Sequence, residues 1–133
     1  MTGFNLLQTA LDELYVKGNT EAAGKLFPEN YIAHAGSKTY NGRKFIRQYI
    51  TGLRKSVSGI KVLKTEMLSE NGNLITWKRT LSGIHRAVFR GIPASGKKIR
   101  WEEMLVSRLE DSLIAEEWLS SDLAFQLMLK NRH

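Results

Sequence analysis

The chain contains no cysteine. Disulfides, thiolate nucleophiles and cysteine-ligated zinc are therefore excluded, and any chemistry has to come from His, carboxylate, Tyr, Lys or Arg side chains. It also lacks any apolar run near the roughly 18 residues that a membrane span requires. The start, Met1-Thr2-Gly3-Phe4-Asn5, has none of the basic and then apolar profile of a secretory signal, so a cytoplasmic protein without membrane association is expected. Lys and Arg number 20 against 13 Asp and Glu, a net charge of +7. Yet no basic run exceeds two residues, and no nucleic-acid motif accompanies Arg43, Lys44, Arg47, Arg54 and Lys55 or the second group at Lys97, Lys98 and Arg100. A solvated surface is the expectation, and nucleic acid is not an expected partner. The length of 133 residues and the 42% hydrophobic content suit one domain, 1–133, with a single core.

Phe4 to Lys17 carries apolar residues at Phe4, Leu7, Leu11, Leu14 and Tyr15, a helical period. Gly18-Asn19-Thr20 reads as a stop and a new start, with Thr20 capping a short helix over Glu21–Leu26 that Pro28 ends. Tyr31-Ile32-Ala33-His34 reads as a brief extended segment leading into a polar loop from Gly36 to Gly42. Phe45, Ile46, Tyr49, Ile50 and Leu53 then share one face of a third helix, which Ser56–Gly59 terminates. Four strands follow: Ile60–Ser69, Leu74–Phe89, Lys97–Glu110 and Leu113–Leu119, rich in β-branched and aromatic residues. Asn71-Gly72-Asn73 and Glu110-Asp111-Ser112 supply the tight connections. Leu123–Leu129 forms a last amphipathic turn or two. Helices first and strands afterwards predict an α+β fold with an antiparallel sheet.

Several segments are more specific. Gly83-Ile84-His85, followed by Phe89-Arg90-Gly91-Ile92-Pro93-Ala94-Ser95-Gly96-Lys97, resembles the Gly-Thr-His and Phe-x-Gly-Ile-Pro-x-x-Gly-Lys of the SnoaL-like polyketide cyclases in the nuclear-transport-factor-2-like superfamily. Arg108, the turn at Glu110-Asp111 and the stretch from Ile114 through Glu116 and Trp118 to Asp122 are similar to that family's Ile-x-Glu-x-Trp-x-x-x-Asp ending. Tyr31 to His34 matches its Tyr-x-x-His. The motifs occur in order across nearly the whole chain. Departures are Ala87 for the Gly of His-x-Gly, Ile84 for Thr, Ala94-Ser95 for Pro-Thr, and Lys55 to Gly59 in place of Phe-Pro-Asp.

The resemblance implies a strongly curved, cone-shaped half-barrel sheet with about three N-terminal helices packed on it, enclosing one largely apolar pocket. A homodimer is implied too. The implied function is acid/base-catalysed cyclisation of aldol type, or isomerisation, of a small hydrophobic carbonyl compound without a cofactor. The alternative is a non-catalytic ligand-binding or protein-interaction module, since this scaffold hosts many functions.

Among the site candidates, Asp122 matches the family's acid/base carboxylate, which an apolar pocket would make easier to protonate. Equally, it can cap the helix starting at Leu123. His34 and His85 have family counterparts facing the cavity and are further catalytic candidates, with core histidines as the alternative. Two distant histidines without a third ligand do not make a metal site. Arg108 could meet either Asp122 across the sheet or a ligand oxyanion. Glu116 matches the strand Glu, or lies on an outer face. Trp118, Trp77, Trp101 and Tyr31 are candidate substrate-binding residues. For the three tryptophans a core role is the other reading, while alternation puts Trp118, Ser120 and Asp122 on one strand face.

Overall fold

A computed structural model describes residues 2–131. Helix α1 (Gly3–Leu11) starts where the Thr2 hydroxyl accepts the Asn5 amide at 3.1 Å. It buries Leu6, Leu7, Ala10 and Leu11, the stripe its period predicts. The expected continuation to Lys17 exists, but Asp12–Val16 forms a wider π turn that buries Leu14 and Tyr15. The carbonyls of Tyr15 and Val16 are satisfied by Nη1 of Arg54 at 2.7 and 2.8 Å. Gly18 follows with φ +69°, the left-handed geometry that a Cβ disfavours.

A 3-10 turn (Thr20–Ala22) leads into the short α2 (Ala23–Leu26). Thr20 does not cap it. Asn19 holds the cap position without a side-chain cap bond, its amide going instead to Glu13 at 3.1 Å.

The expected polar loop after Gly36 is partly sheet. Strand β1 (Ile32–Ala35) turns at Gly36 and pairs antiparallel with β2 (Lys38–Asn41). β2 is an outer strand with mostly exposed side chains, so it carries no apolar alternation that a sequence reading could detect. Helix α3 (Lys44–Ser56) is amphipathic as predicted and buries Ile46, Ile50 and Leu53.

Strand β3 (Val57–Asn71) follows α3 at once and pairs with β4 (Leu74–His85) through three register shifts. Gly59, expected to end the helix, instead lies in the first shift with φ +62°. Strand β4 stops at His85 rather than Phe89. The chain there leaves the sheet for a separate tight turn in which Phe89 and Ile92 exchange backbone hydrogen bonds of 3.0 and 2.9 Å. Strands β5 (Lys98–Glu110) and β6 (Leu113–Ser121) are joined through Asp111 and Ser112, both at positive φ. Helix α4 (Leu123–Lys130) packs back on the sheet through Leu123 and Leu127.

The fold is α+β: N-terminal helices plus one six-stranded sheet in the order β2-β1-β6-β5-β4-β3. All pairings are antiparallel except β1 with β6, which is parallel. That exception is sterically open because α3 and four strands intervene in sequence between the two. No helix of the described residues is long and apolar enough to cross a membrane.

Register fixes which side chains share a face. One face carries the cross-strand rows Ile75–Ser107–Glu117–Ala33, Trp77–Leu105–Leu119–Ala35 and Arg79–Glu103–Ser121. These rows meet the buried stripes of the helices in one core. The opposite face carries Thr76–Val106–Trp118–His34 and Leu74–Arg108–Glu116–Ile32.

Candidate functional site

A cavity of about 480 Å³ lies between the helices and the inward rows of the sheet, a volume suited to one small organic molecule. Its walls are mainly apolar, with Leu7, Leu11, Phe27, Ile50, Trp77 and Leu105 among them, and four tyrosines, Tyr15, Tyr31, Tyr40 and Tyr49, add hydroxyls. The charged side chains reaching its lining include Arg79, Arg90 and Glu117.

Two hydrogen-bonded groups organise the polar part. In the first, Arg79 donates from Nε to Oε1 of Glu103 at 2.7 Å, and its Nη2 lies 2.7 Å from the same oxygen. Arg79 Nη2 also donates to the Tyr15 hydroxyl at 2.9 Å, and the guanidinium lies 4.7 Å from the Tyr15 ring centre and 5.2 Å from that of Trp77. Glu103 accepts further from Trp101 Nε1 at 3.2 Å and the Ser121 hydroxyl at 2.9 Å. Both charged side chains are out of water, at 7% and 0% exposure, so each depends on the other.

In the second group, Trp77 Nε1 donates to the Ser107 hydroxyl at 3.0 Å, which donates to Oε2 of Glu117 at 2.6 Å. The Tyr31 hydroxyl donates to Oε1 of Glu117 at 3.0 Å. Burial pushes the Glu117 carboxyl above the usual carboxylate range, outweighing the Ser107 and Tyr31 hydrogen bonds and the Arg79 charge that favour its ionised form. The tyrosines shift the same way. Burial raises Tyr15 and Tyr31 well above the ordinary phenol value and Tyr49 to about 12, so all three are neutral donors at physiological pH.

Tyr31 and Trp77 line the cavity; Trp101, a substrate-binding candidate, does not, its indole being buried in the core and donating to Glu103. Asp122 is elsewhere. Its Oδ1 accepts the Glu102 amide at 2.8 Å and its Oδ2 the Gln126 side chain at 3.2 Å, so the carboxylate ties β5 to α4. Although Asp122 precedes the helix, its carboxylate takes no α4 backbone amide; the Leu123 amide goes to the Ser121 hydroxyl.

His34 forms part of the cavity wall, but its imidazole lies with the outward row. Nε2 is 2.6 Å from Oε2 of Glu116, Nδ1 is 3.3 Å from the Thr39 hydroxyl, and the ring stacks on Trp118 at 5.0 Å. Trp118 is 39% exposed on that outer face. Arg108 does not reach Asp122; it bonds Glu116 at 3.1 Å and Glu110 at 2.7 Å. Glu116 is held below the ordinary carboxylate value by the His34 hydrogen bond first and Arg108 next. His85 is wholly buried at the end of β4, with neither ring nitrogen hydrogen-bonded among the described residues. The expected convergence of Asp122, His34 and His85 on one hollow is thus replaced by Glu117, Tyr15, Tyr31 and Arg79.

For Asp122 and Trp118, and for the inward turn of Glu117, the reason is a bulge in β6. Leu109 pairs with Ile114 but Arg108 pairs with Glu116, leaving Ala115 as an extra residue. Ile114 faces the core; an unbroken alternation would then send Glu116, Trp118 and Ser120 inward, and the extra residue sends Glu117, Leu119 and Ser121 inward instead. Neighbouring Glu116 and Glu117 left no signal in the sequence of which one turns in. The described residues include no group of three or more His, Asp or Glu able to hold a metal ion.

Together these features define an α+β domain with one sheet and a cavity whose lining carries a carboxyl raised above the usual carboxylate range. The chain belongs to the SnoaL-like polyketide cyclase family, whose model matches residues 5–128. Among solved structures it is similar to TsrD from Streptomyces laurentii, at 22% identity over 94% of both chains with a TM-score of 0.81. It is also similar to a SnoaL-like polyketide cyclase candidate from Jannaschia sp. CCS1, at 16% identity over 98% of this chain and 93% of that one with a TM-score of 0.84. IdmH from Streptomyces antibioticus, a polyketide cyclase candidate, matches at 17% identity over 98% of both chains with a TM-score of 0.77. At these identities the likeness is one of fold. No curated protein matches the chain.

Proposed function

We propose that the cavity binds a small hydrophobic carbonyl compound and that Glu117 moves a proton to or from the carbon beside the carbonyl. The supporting observation is the environment of that carboxyl: it lines an apolar cavity, burial raises its proton affinity, and two hydroxyls hold it in place. A base of this kind works best when its pKa approaches the working pH. Removing the proton leaves an enolate whose oxygen needs a donor. Tyr15 is placed to serve: its hydroxyl accepts from Arg79, and among the described residues its own proton has no protein acceptor. Glu117 and Tyr15 both line the cavity, so base and donor face the same space. Returning the proton to another carbon gives isomerisation; attack of the enolate carbon on a second carbonyl gives aldol ring closure.

A model ketone tests this without the natural substrate. With 2-tetralone, the protein should accelerate solvent deuterium exchange at the carbons beside the carbonyl, followed by NMR. Glu117→Gln should lower that rate by about 100-fold or more while 2-tetralone still binds, in line with the usual contribution of a general base. Exchange unaffected by the substitution would defeat the assignment.

A second reading, a non-catalytic binding module, draws on a different observation. Both inward carboxylates, Glu103 and Glu117, are already satisfied by protein donors. It expects 2-tetralone to bind with no exchange above the uncatalysed rate.

A further inference from the structure

We propose that Arg90 is a specificity-determining residue that binds a carboxylate on the ligand, at the side of the cavity open to solvent. The inference rests on the cavity being the ligand site, and it adds the polarity and orientation of what enters. Arg90 is an exposed residue that nevertheless lines the cavity, so its side chain stands where the cavity meets water. Its guanidinium lies 5.3 Å from the ring centre of Phe89 and 5.9 Å from that of Tyr49, both cavity-lining rings. Its charge reaches the lining: it lowers the proton affinity of Tyr49 against the larger effect of burial. No carboxylate among the described residues lies within ion-pair distance of it.

The position is built rather than incidental. Arg90 has φ +49° and Gly91 φ +80°, in the tight turn closed by the paired hydrogen bonds between Phe89 and Ile92. A residue with a Cβ is disfavoured in that conformation, and Asn or Gly would adopt it more readily. The turn therefore holds the base of a long cation beside the aromatic wall formed by Tyr40, Phe45 and Tyr49, whose rings stack at 4.3 and 5.9 Å.

The rest of the cavity decides where an anion can go. Arg79, the other cation of the lining, is already matched by Glu103. Glu117 adds a second carboxyl on the inner side. A ligand anion there would meet like charge, whereas at Arg90 it meets an unmatched guanidinium over a low-dielectric wall. A single planar guanidinium fits the two oxygens of one carboxylate, the bidentate pairing of this group. The ligand is thereby oriented: carbonyl toward Glu117, apolar body along the aromatic wall, carboxylate outward at Arg90.

The test uses two probes of one shape, naphthalene-2-carboxylate and naphthalene-2-carboxamide, with affinities measured by calorimetry at neutral pH. The native protein should bind the carboxylate roughly tenfold more tightly than the amide, the scale of one charge-assisted contact. Added salt should weaken the carboxylate and not the amide. Arg90→Asn, which suits the positive φ, should erase the preference; Arg90→Lys should retain part of it. Arg86→Gln removes an exposed positive charge outside the cavity lining and should leave the preference intact. If both probes bind the native protein equally, or if the preference survives Arg90→Asn, the proposal is overturned while the cavity remains a ligand site. If neither probe binds, both fall together.

Discussion

Removing one member of the Arg79–Glu103 pair should be the most damaging single charge change in this protein. Glu103→Gln keeps the shape of the side chain but strips its charge, leaving a guanidinium at 7% exposure without its matched counter-ion. It also alters a carboxylate that accepts from Arg79, Trp101 and Ser121, so at least one donor will face an amide NH2 instead of an oxygen. Breaking a buried pair from one side typically costs about 3–5 kcal/mol, because the remaining charge is uncompensated. Replacing both partners by apolar residues, as in Arg79→Met with Glu103→Leu, removes the charge problem and should cost less than the single change. Urea unfolding reads the difference: the midpoint should fall sharply for Glu103→Gln and recover in the double variant, with the denaturant slope unchanged. Arg79→Met alone, Glu103→Leu alone and the double variant form a cycle whose coupling term should exceed about 2 kcal/mol. A Glu103→Gln protein within about 0.5 kcal/mol of the parent would refute the reading that these charges are mutually dependent.

Further outcomes follow from the same geometry. Glu117 binds its proton more tightly in the folded chain than in the unfolded one, so the stability it contributes is present at low pH and is lost as pH rises through its raised folded value. Urea midpoints between about pH 4 and about pH 8 should therefore fall less steeply with rising pH in Glu117→Gln, and an unchanged slope would contradict the raised value. Glu116, with a lowered value, works in the opposite sense: its contribution is present above the ordinary carboxylate range and is lost as pH falls, a loss that Glu116→Gln should remove. Gly83→Ala should destabilise by about 1–3 kcal/mol, because the new Cβ would sit 2.5 Å from Val57 Cγ1 and 3.0 Å from the Ser58 carbonyl; a stable variant would show that β3 yields there. Asp122→Asn should keep 2-tetralone exchange while losing some stability through its weaker bond to the Glu102 amide, and loss of exchange at unchanged stability would restore Asp122 to the chemistry.

Composition, period and motif order set the local and serial part of this protein. The helical period of Leu7, Leu11 and Leu14 and the face shared by Ile46, Ile50 and Leu53 are properties of a few neighbouring residues, as are the turns at Gly72 and Asp111; so is the ordered set of motifs carrying the family resemblance. The edge strand at Lys38–Asn41 escaped because an exposed strand has no apolar alternation, and the parallel pairing of β1 with β6 is a choice between distant segments. Which side chains meet at the cavity depends on long-range pairing. One extra residue at Ala115 exchanges the faces of β6, carrying Glu117 into the cavity and Trp118 to the outside, while Arg79 and Tyr15, 64 positions apart, meet through a hydrogen bond. Side-chain direction along a strand depends on its count against a partner strand, and that count is set by pairing across the sheet rather than by the residues of the strand itself.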